Sequence, residues 1–225
     1  ISGKGSITVL NNHNSYNSSF INFVKFDNLT TPSIPLNKLT GSVNLYGGDN
    51  IISNSTFSNG NSEDQLNIVH SHILVTDVKF INAKSDSFDC DFCKGDISST
   101  SFFRAKGDAL DISGSDLTIS NIIVNSANDK AISIGENSQV DIFNAVIKKS
   151  ATGLAVKDGS NVNVENITLQ DIFFDAFMTY IKKPFYTNNT TLNVFGLLNL
   201  EKIDGSLCVR QKNTLLLIEN DHCVE

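Results

Sequence analysis

From Leu66 onward the chain repeats itself every 22 residues. Segments that begin at Leu66, Phe88, Leu110, Ile132, Leu154 and Ala176 superimpose with almost no gaps, and the position two places on reads Ile68, Cys90, Ile112, Ile134, Val156 and Met178. A unit this short cannot bury a core alone, so it has to stack on its neighbours. Between the two apolar columns lie mostly polar residues, such as Asn67, Asp89, Asp111 and Ser133. That period-2 alternation belongs to a strand with one buried face. A second strand follows in each unit. Its inward columns read Val75, Ile97, Ile119, Ile142, Val164 and Phe80, Phe102, Val124, Ile147, Leu169, with one extra residue absorbed in the turn from Gly135 to Gln139. Beside them Asp77, Ser99, Asn121, Asn144 and Asn166 form a polar column suited to a ladder of stacked side chains.

No stretch sustains apolar residues three and four apart, which excludes helices from the regular part. Leucine-rich repeats share the period, but they need a Leu-x-x-Leu-x-Leu skeleton and an Asn at one fixed place, which these units lack. What remains is an all-β, single-stranded parallel β-helix of about 22 residues per coil and roughly eight coils, each about 4.7–4.9 Å above the last. The pattern reads as one domain over 1–225. Residues 1–65 are irregular N-terminal coils with a Pro-containing loop at 29–40, 66–191 are regular coils, and 192–225 form a last coil or cap.

Seventeen basic against twenty-four acidic residues give a net charge of −7, which repels a phosphate backbone, and no Lys/Arg cluster opposes that trend, so nucleic acid is not a partner. No run approaches the roughly 20 apolar residues of a membrane-spanning helix. Ile1 opens the chain in mid-pattern without a starting Met, which reads as a segment of something longer, fused to a further domain.

Five segments follow one another in order: Phe88-Asp89-Cys90-Asp91-Phe92, Gly107 through Ser115 (GDALDISGS), Asp129 through Ser138 (DKAISIGENS), Lys157-Asp158-Gly159-Ser160, and Lys182-Lys183. Together they resemble the right-handed β-helix segment found with CotH-type kinase-like domains in bacterial surface and exopolysaccharide proteins, over about Leu39 to Val194. The resemblance implies a pectin-lyase-like right-handed β-helix and an extracytoplasmic bacterial location, secreted or on the cell surface. It implies no reaction, because fold likeness alone supplies none.

Chemistry is to be sought on the outer face of the first strand. Residues 22 apart stack, so Asp86 lies over Asp108 and then Lys130; Asp89 over Asp111; and Asp91 near Ser113, Gly135 and Lys157. Asp129 and Glu136 add to this acidic face. Carboxylates one rung apart repel each other and raise one pKa, which is how a glycosidase separates its acid from its nucleophile or base. Asp108, Asp111 and Lys130 are then the catalytic candidates, with Asp108 and Asp111 expected to be the most perturbed carboxyls. In a lyase, Lys130 or Lys157 would abstract the proton α to a uronate while stacked Asp residues hold a hard cation such as Ca²⁺. Three classes stay open: a surface module that recognises or presents an acidic or neutral polysaccharide, a lyase or hydrolase, and a structural spacer. For the last, Asp and Ser at coil corners simply accept backbone N–H bonds. The spacer reading gains from Ala155 and Phe177, which continue the Asp89 column and end its polarity.

Other features are weaker. Asn17, Asn28, Asn54, Asn166, Asn188 and Asn189 each open an N-x-Ser/Thr match in a chain rich in these residues. His70 and His72 have a spacing that can bind zinc but no evident third ligand. Cys90-x-x-Cys93 reads as a buried apolar position rather than a metal or redox motif, since Cys90 stands between Ile68 and Ile112. Cys208 and Cys223 are expected to form a disulfide in the irregular C-terminal segment.

Overall fold

Each unit folds as three short strands joined by sharp corners, and the computed structural model describes residues 1–11, 18–32, 39–219 and the backbone of 221–222. Among the described residues every regular element is a strand. They stack as a parallel β-solenoid of about eight turns, near 23 residues per turn. The first face is built from Ile7–Leu10, Gly41–Tyr46, Asp64–Val69, Asp86–Asp91, Leu110–Ser113 and Lys130–Gly135, then from the ends of the long strands Gln139–Lys157 and Asn161–Tyr180, and from Ser206–Arg210. Two further faces follow in each turn, one led by His72–Thr76 and Lys94–Ser98, the other by Lys79–Ala83 and Ser101–Ala105.

The expected columns pair in parallel register. Leu66, Phe88, Leu110, Ile132 and Leu154 are partners in turn, and all are fully buried. A stack of rings runs through the interior: Phe26 on Phe57 at 4.8 Å, Phe57 on Phe80 at 5.0 Å and Phe80 on Phe102 at 5.0 Å between centroids. Offset stacking of this kind adds about 0.5–1.5 kcal/mol per pair beyond burial.

At the corners the backbone reverses through left-handed conformations, one or two residues per corner. After the second face this residue is Asn54, Asp77, Ser99, Asn121, Asn144, Asn166 and Gly196, with φ between 47° and 68°. Asn and Asp tolerate that region because their short side chains bond locally. The ladder expected there forms in its later rungs: Asn144 donates to Asn121 at 3.3 Å, and Asn166 to Asn144 at 3.2 Å. A second ladder climbs the next corner, where Arg104 donates to Asn82, Asn82 to Asn59 and Asn59 to Asp27.

One register differs from expectation. A bulge between Ser150 and Thr152 sets Leu154 opposite Phe177 and Ala155 opposite Met178. The inward positions of this turn are therefore Phe177 and Thr179, not Ala176 and Met178, and the Asp89 column continues through Ala155 to Met178. In the N-terminal coils Ile7–Leu10 pairs with Gly41–Tyr46, Ser18–Asn22 with Asp49–Ser53 and Lys25–Asp27 with Thr56–Ser58. Of the 29–40 loop, Leu29 and Thr30 still follow the coil, Leu29 buried and Thr30 bridged to Asn61. At the other end Thr214–Ile218 regains register on Thr190–Ile203, and Leu217 and Ile218 turn back antiparallel on His222 and Asp221.

The cysteines need a correction. Cys90 is fully buried in the inward column, as expected, but it is bonded to Cys93, with 6.0 Å between Cα atoms. Cys93 points inward at the corner, which brings the two sulfurs together. The expected Cys208–Cys223 bond falls on Cys223, which lies outside the described residues.

Candidate functional site

The outer side of the first face carries three columns. Its central one is Asn44, Asn67, Asp89, Asp111, Ser133, Ala155, Met178 and Val209, each in register with the next. Toward one corner lie Tyr46, Val69, Asp91 and Ser113, with Lys157 and Tyr180 in register farther along. Toward the other lie Asp64 and Asp86 in register, followed by Asp108 and Lys130.

The last group is partly scaffold. Asp86 Oδ1 accepts the Asp108 N–H at 2.8 Å, and Asp108 Oδ1 accepts the Lys130 N–H at 2.7 Å. These carboxyls tie one turn to the next. Asp158 does the same, its Oδ1 accepting the N–H groups of Lys182 and Lys183, both at 2.6 Å.

Burial governs the acidity of the rest. It pushes Asp89 up to about 9, with Asp91, Asp64, Asp111 and Asp86 adding to the rise, so Asp89 carries its proton at neutral pH. Burial likewise lifts Asp64 to about 7 and Asp91 to about 6. Asp108 reaches about 7, burial being opposed by Lys130. The carboxyl raised furthest is thus Asp89, ahead of the expected Asp108. Lysines stand beside Asp108 and Asp111: Lys130 Nζ lies 3.6 Å from Asp108 and Lys157 Nζ 3.7 Å from Asp111, whereas Asp89 accepts from an amide, Asn67 donating to its Oδ2 at 3.0 Å.

Both lysines proposed as bases are committed to acids or hydroxyls. Lys157 is nearly buried and donates to Ser133 Oγ at 2.7 Å. Lys130 also binds the exposed Asp129 at 2.7 Å. Burial works against its charge, but the carboxylates of Asp108 and Asp129 raise its pKa on balance. Glu136 is held by Lys183 and by Tyr186 OH at 3.2 Å, and its charge adds to the rise at Asp91.

Beside Asp89 and Asp91 the face opens into a groove of about 530 Å³, lined among others by Tyr46, Asn67, Val69, His70 and Phe92. Asn67 is only 3% exposed; its Nδ2 donates to Thr40 Oγ1 and to Asp89, and its Oδ1 has no hydrogen-bond partner among the described residues. His70 does not face His72; its ring stacks on Phe92 at 4.7 Å. Sequence reasoning missed Asp64, Asn67 and Phe92. The first two stand one period before Asp86 and Asp89, so the repeat itself marked them.

Among the described residues no three His, Cys, Asp or Glu side chains converge on a metal position, and no helix is long and apolar enough to cross a membrane. Comparison with known protein families, with curated proteins and with solved structures finds no match to this chain.

Proposed function

We propose that the first face is a glycan-recognition surface and that the ligand is a neutral polysaccharide. The observation that carries this is the groove beside Asp89: amide and carboxyl groups of Asn67, Asp89 and Asp91 on its floor, and the rings of Tyr46, His70 and Phe92 around it. Carboxyl and amide groups bind sugar hydroxyls, and ring faces pack on the apolar faces of sugars. Neutral sugars are favoured over uronates because Lys130, Lys157 and Lys183 on this side are already paired and the net charge is −7. A buried disulfide supports an oxidising, extracytoplasmic location, in line with the resemblance to β-helix segments of bacterial surface proteins.

One observation favours hydrolysis as a second reading. Asp89 holds a proton, and Asp111, its neighbour one rung away, is paired with Lys157. A donor and an acceptor about 4.7–4.9 Å apart along the stack approach the separation of a retaining glycosidase.

Calorimetric titration with cellohexaose, laminarihexaose, mannohexaose and hexagalacturonate tests the proposal. A neutral hexamer is expected to bind, and Phe92→Ala to weaken it about 10-fold. Preference for hexagalacturonate, or indifference to Phe92→Ala, overturns it. Release of reducing ends that stops in Asp89→Asn would establish the second reading, and binding without release would leave the first.

A further inference from the structure

Two exceptions to the repeat fall in the same turn. The inward column Ile68, Cys90, Ile112, Ile134 is aliphatic except at Cys90, and the corner column Ser71, Cys93, Ser115, Ser138, Ser160 is serine except at Cys93. The serines have a visible task. Ser115 Oγ accepts the Cys93 N–H at 2.8 Å, Ser138 Oγ the Ser115 N–H at 3.0 Å, and Ser160 Oγ the Ser138 N–H at 3.1 Å. Cys93 commits its side chain to Cys90 instead, and neither sulfur-bearing residue is exposed. The bond closes a ring of four residues, and the two between the cysteines are Asp91 and Phe92.

Those two are the groove's carboxyl and its aromatic wall. Phe92 sits at a left-handed corner: its φ is 55°, and the matching positions of other turns, Gly47, His70, Gly114, Glu136 and Asp158, share that region. A phenylalanine gains nothing from that backbone region. Phe92 is 46% exposed, its ring lying against His70 on one side and over Gly114 on the other, where any Cβ would come within 2.6 Å of it.

We propose that the Cys90–Cys93 disulfide is a positioning device: by closing a ring around Asp91 and Phe92 it holds the carboxyl and the aromatic wall of the groove in place, while the stacking of the turn does not depend on it. The consequence for binding rests on the glycan reading of the groove. Stacking is independent because the turns above and below achieve it with Ile and Ser at the two positions. A four-residue ring also constrains the unfolded chain far less than a long loop would.

The test replaces both cysteines by the repeat's own residues, Cys90→Ile with Cys93→Ser, in the full chain. The ring-current shift of the His70 imidazole protons, read by NMR, reports the Phe92 stack, and thermal melting reports the solenoid. The expected result is loss of the shift, a melting midpoint within a few degrees of the parent, and about 10-fold weaker binding of whichever of cellohexaose, laminarihexaose or mannohexaose the parent binds. Retention of the shift overturns the proposal. So does its loss together with a collapsed midpoint, which would make the bond a structural staple, and so does its loss with unchanged affinity. If the parent binds none of the three sugars, the glycan reading falls, and the His70 signal still decides whether the bond positions Phe92.

Discussion

Replacing Asp89 by Asn should stabilise the protein, and only above acid pH. In the folded chain burial raises the Asp89 carboxyl from 3.8 to about 9. Between those limits the folded state keeps a proton that the unfolded state releases, so wild-type stability falls as pH rises through this window. At pH 7 the unfolded chain has gained roughly three pH units of ionisation, each worth about 1.4 kcal/mol, a ceiling of about 4 kcal/mol. Asp89 is only half-buried and faces a groove, so water relieves part of this and the expected gain at pH 7 is about 2–4 kcal/mol. Asn cannot ionise, yet its Oδ1 still accepts from Asn67. For a chain of this size the gain corresponds to a rise in melting midpoint of about 5–15 °C. Melting curves of both proteins by circular dichroism from pH 3.5 to 9 provide the assay. The two should converge near pH 3.5 and separate progressively to pH 7 and beyond. A gap that stays constant with pH, or a less stable Asn variant at pH 7, would refute the reasoning that burial holds this carboxyl in its acid form.

Three further outcomes follow from the packing. Phe80→Ala, which empties a fully buried ring position between Phe57 and Phe102, should cost about 5 kcal/mol in chemical denaturation. Asn144→Ala should cost about 1–2 kcal/mol by losing two ladder bonds and the tolerance of φ 58°, and Asn144→Gly should cost less, because glycine recovers the backbone share. Asp158→Ala strands the Lys182 and Lys183 N–H groups; trypsin cleavage after Lys182 should quicken about 10- to 30-fold, while a variant cleaved at the parent's rate would show that the carboxylate does not hold this loop.

The stacking of this protein was legible in its sequence for a geometric reason. In a solenoid the spatial neighbour of a residue is the one a period away, so the column Leu66, Phe88, Leu110, Ile132, Leu154 is at once a sequence pattern and a contact list. The acidic face was legible in the same way, since Asp89 over Asp111 is simple translation by one coil. Wherever contacts depart from translation, the pattern is silent. The bulge at Ser150 slips the register by one, and because Ala176 and Phe177 are both apolar either alignment satisfied the spacing. The bond between Cys90 and Cys93 depends on an inward turn at the corner that no alternation encodes. Lys183 and Tyr186 reach Glu136 across 47 and 50 residues through a loop longer than any other corner in the regular part. Which carboxyl holds its proton was likewise a tertiary matter. Spacing puts Asp89, Asp108 and Asp111 on one surface, but only the fold decides that Lys130 and Lys157 turn toward Asp108 and Asp111, leaving Asp89 beside an amide, where burial and the neighbouring carboxyls disfavour its charge.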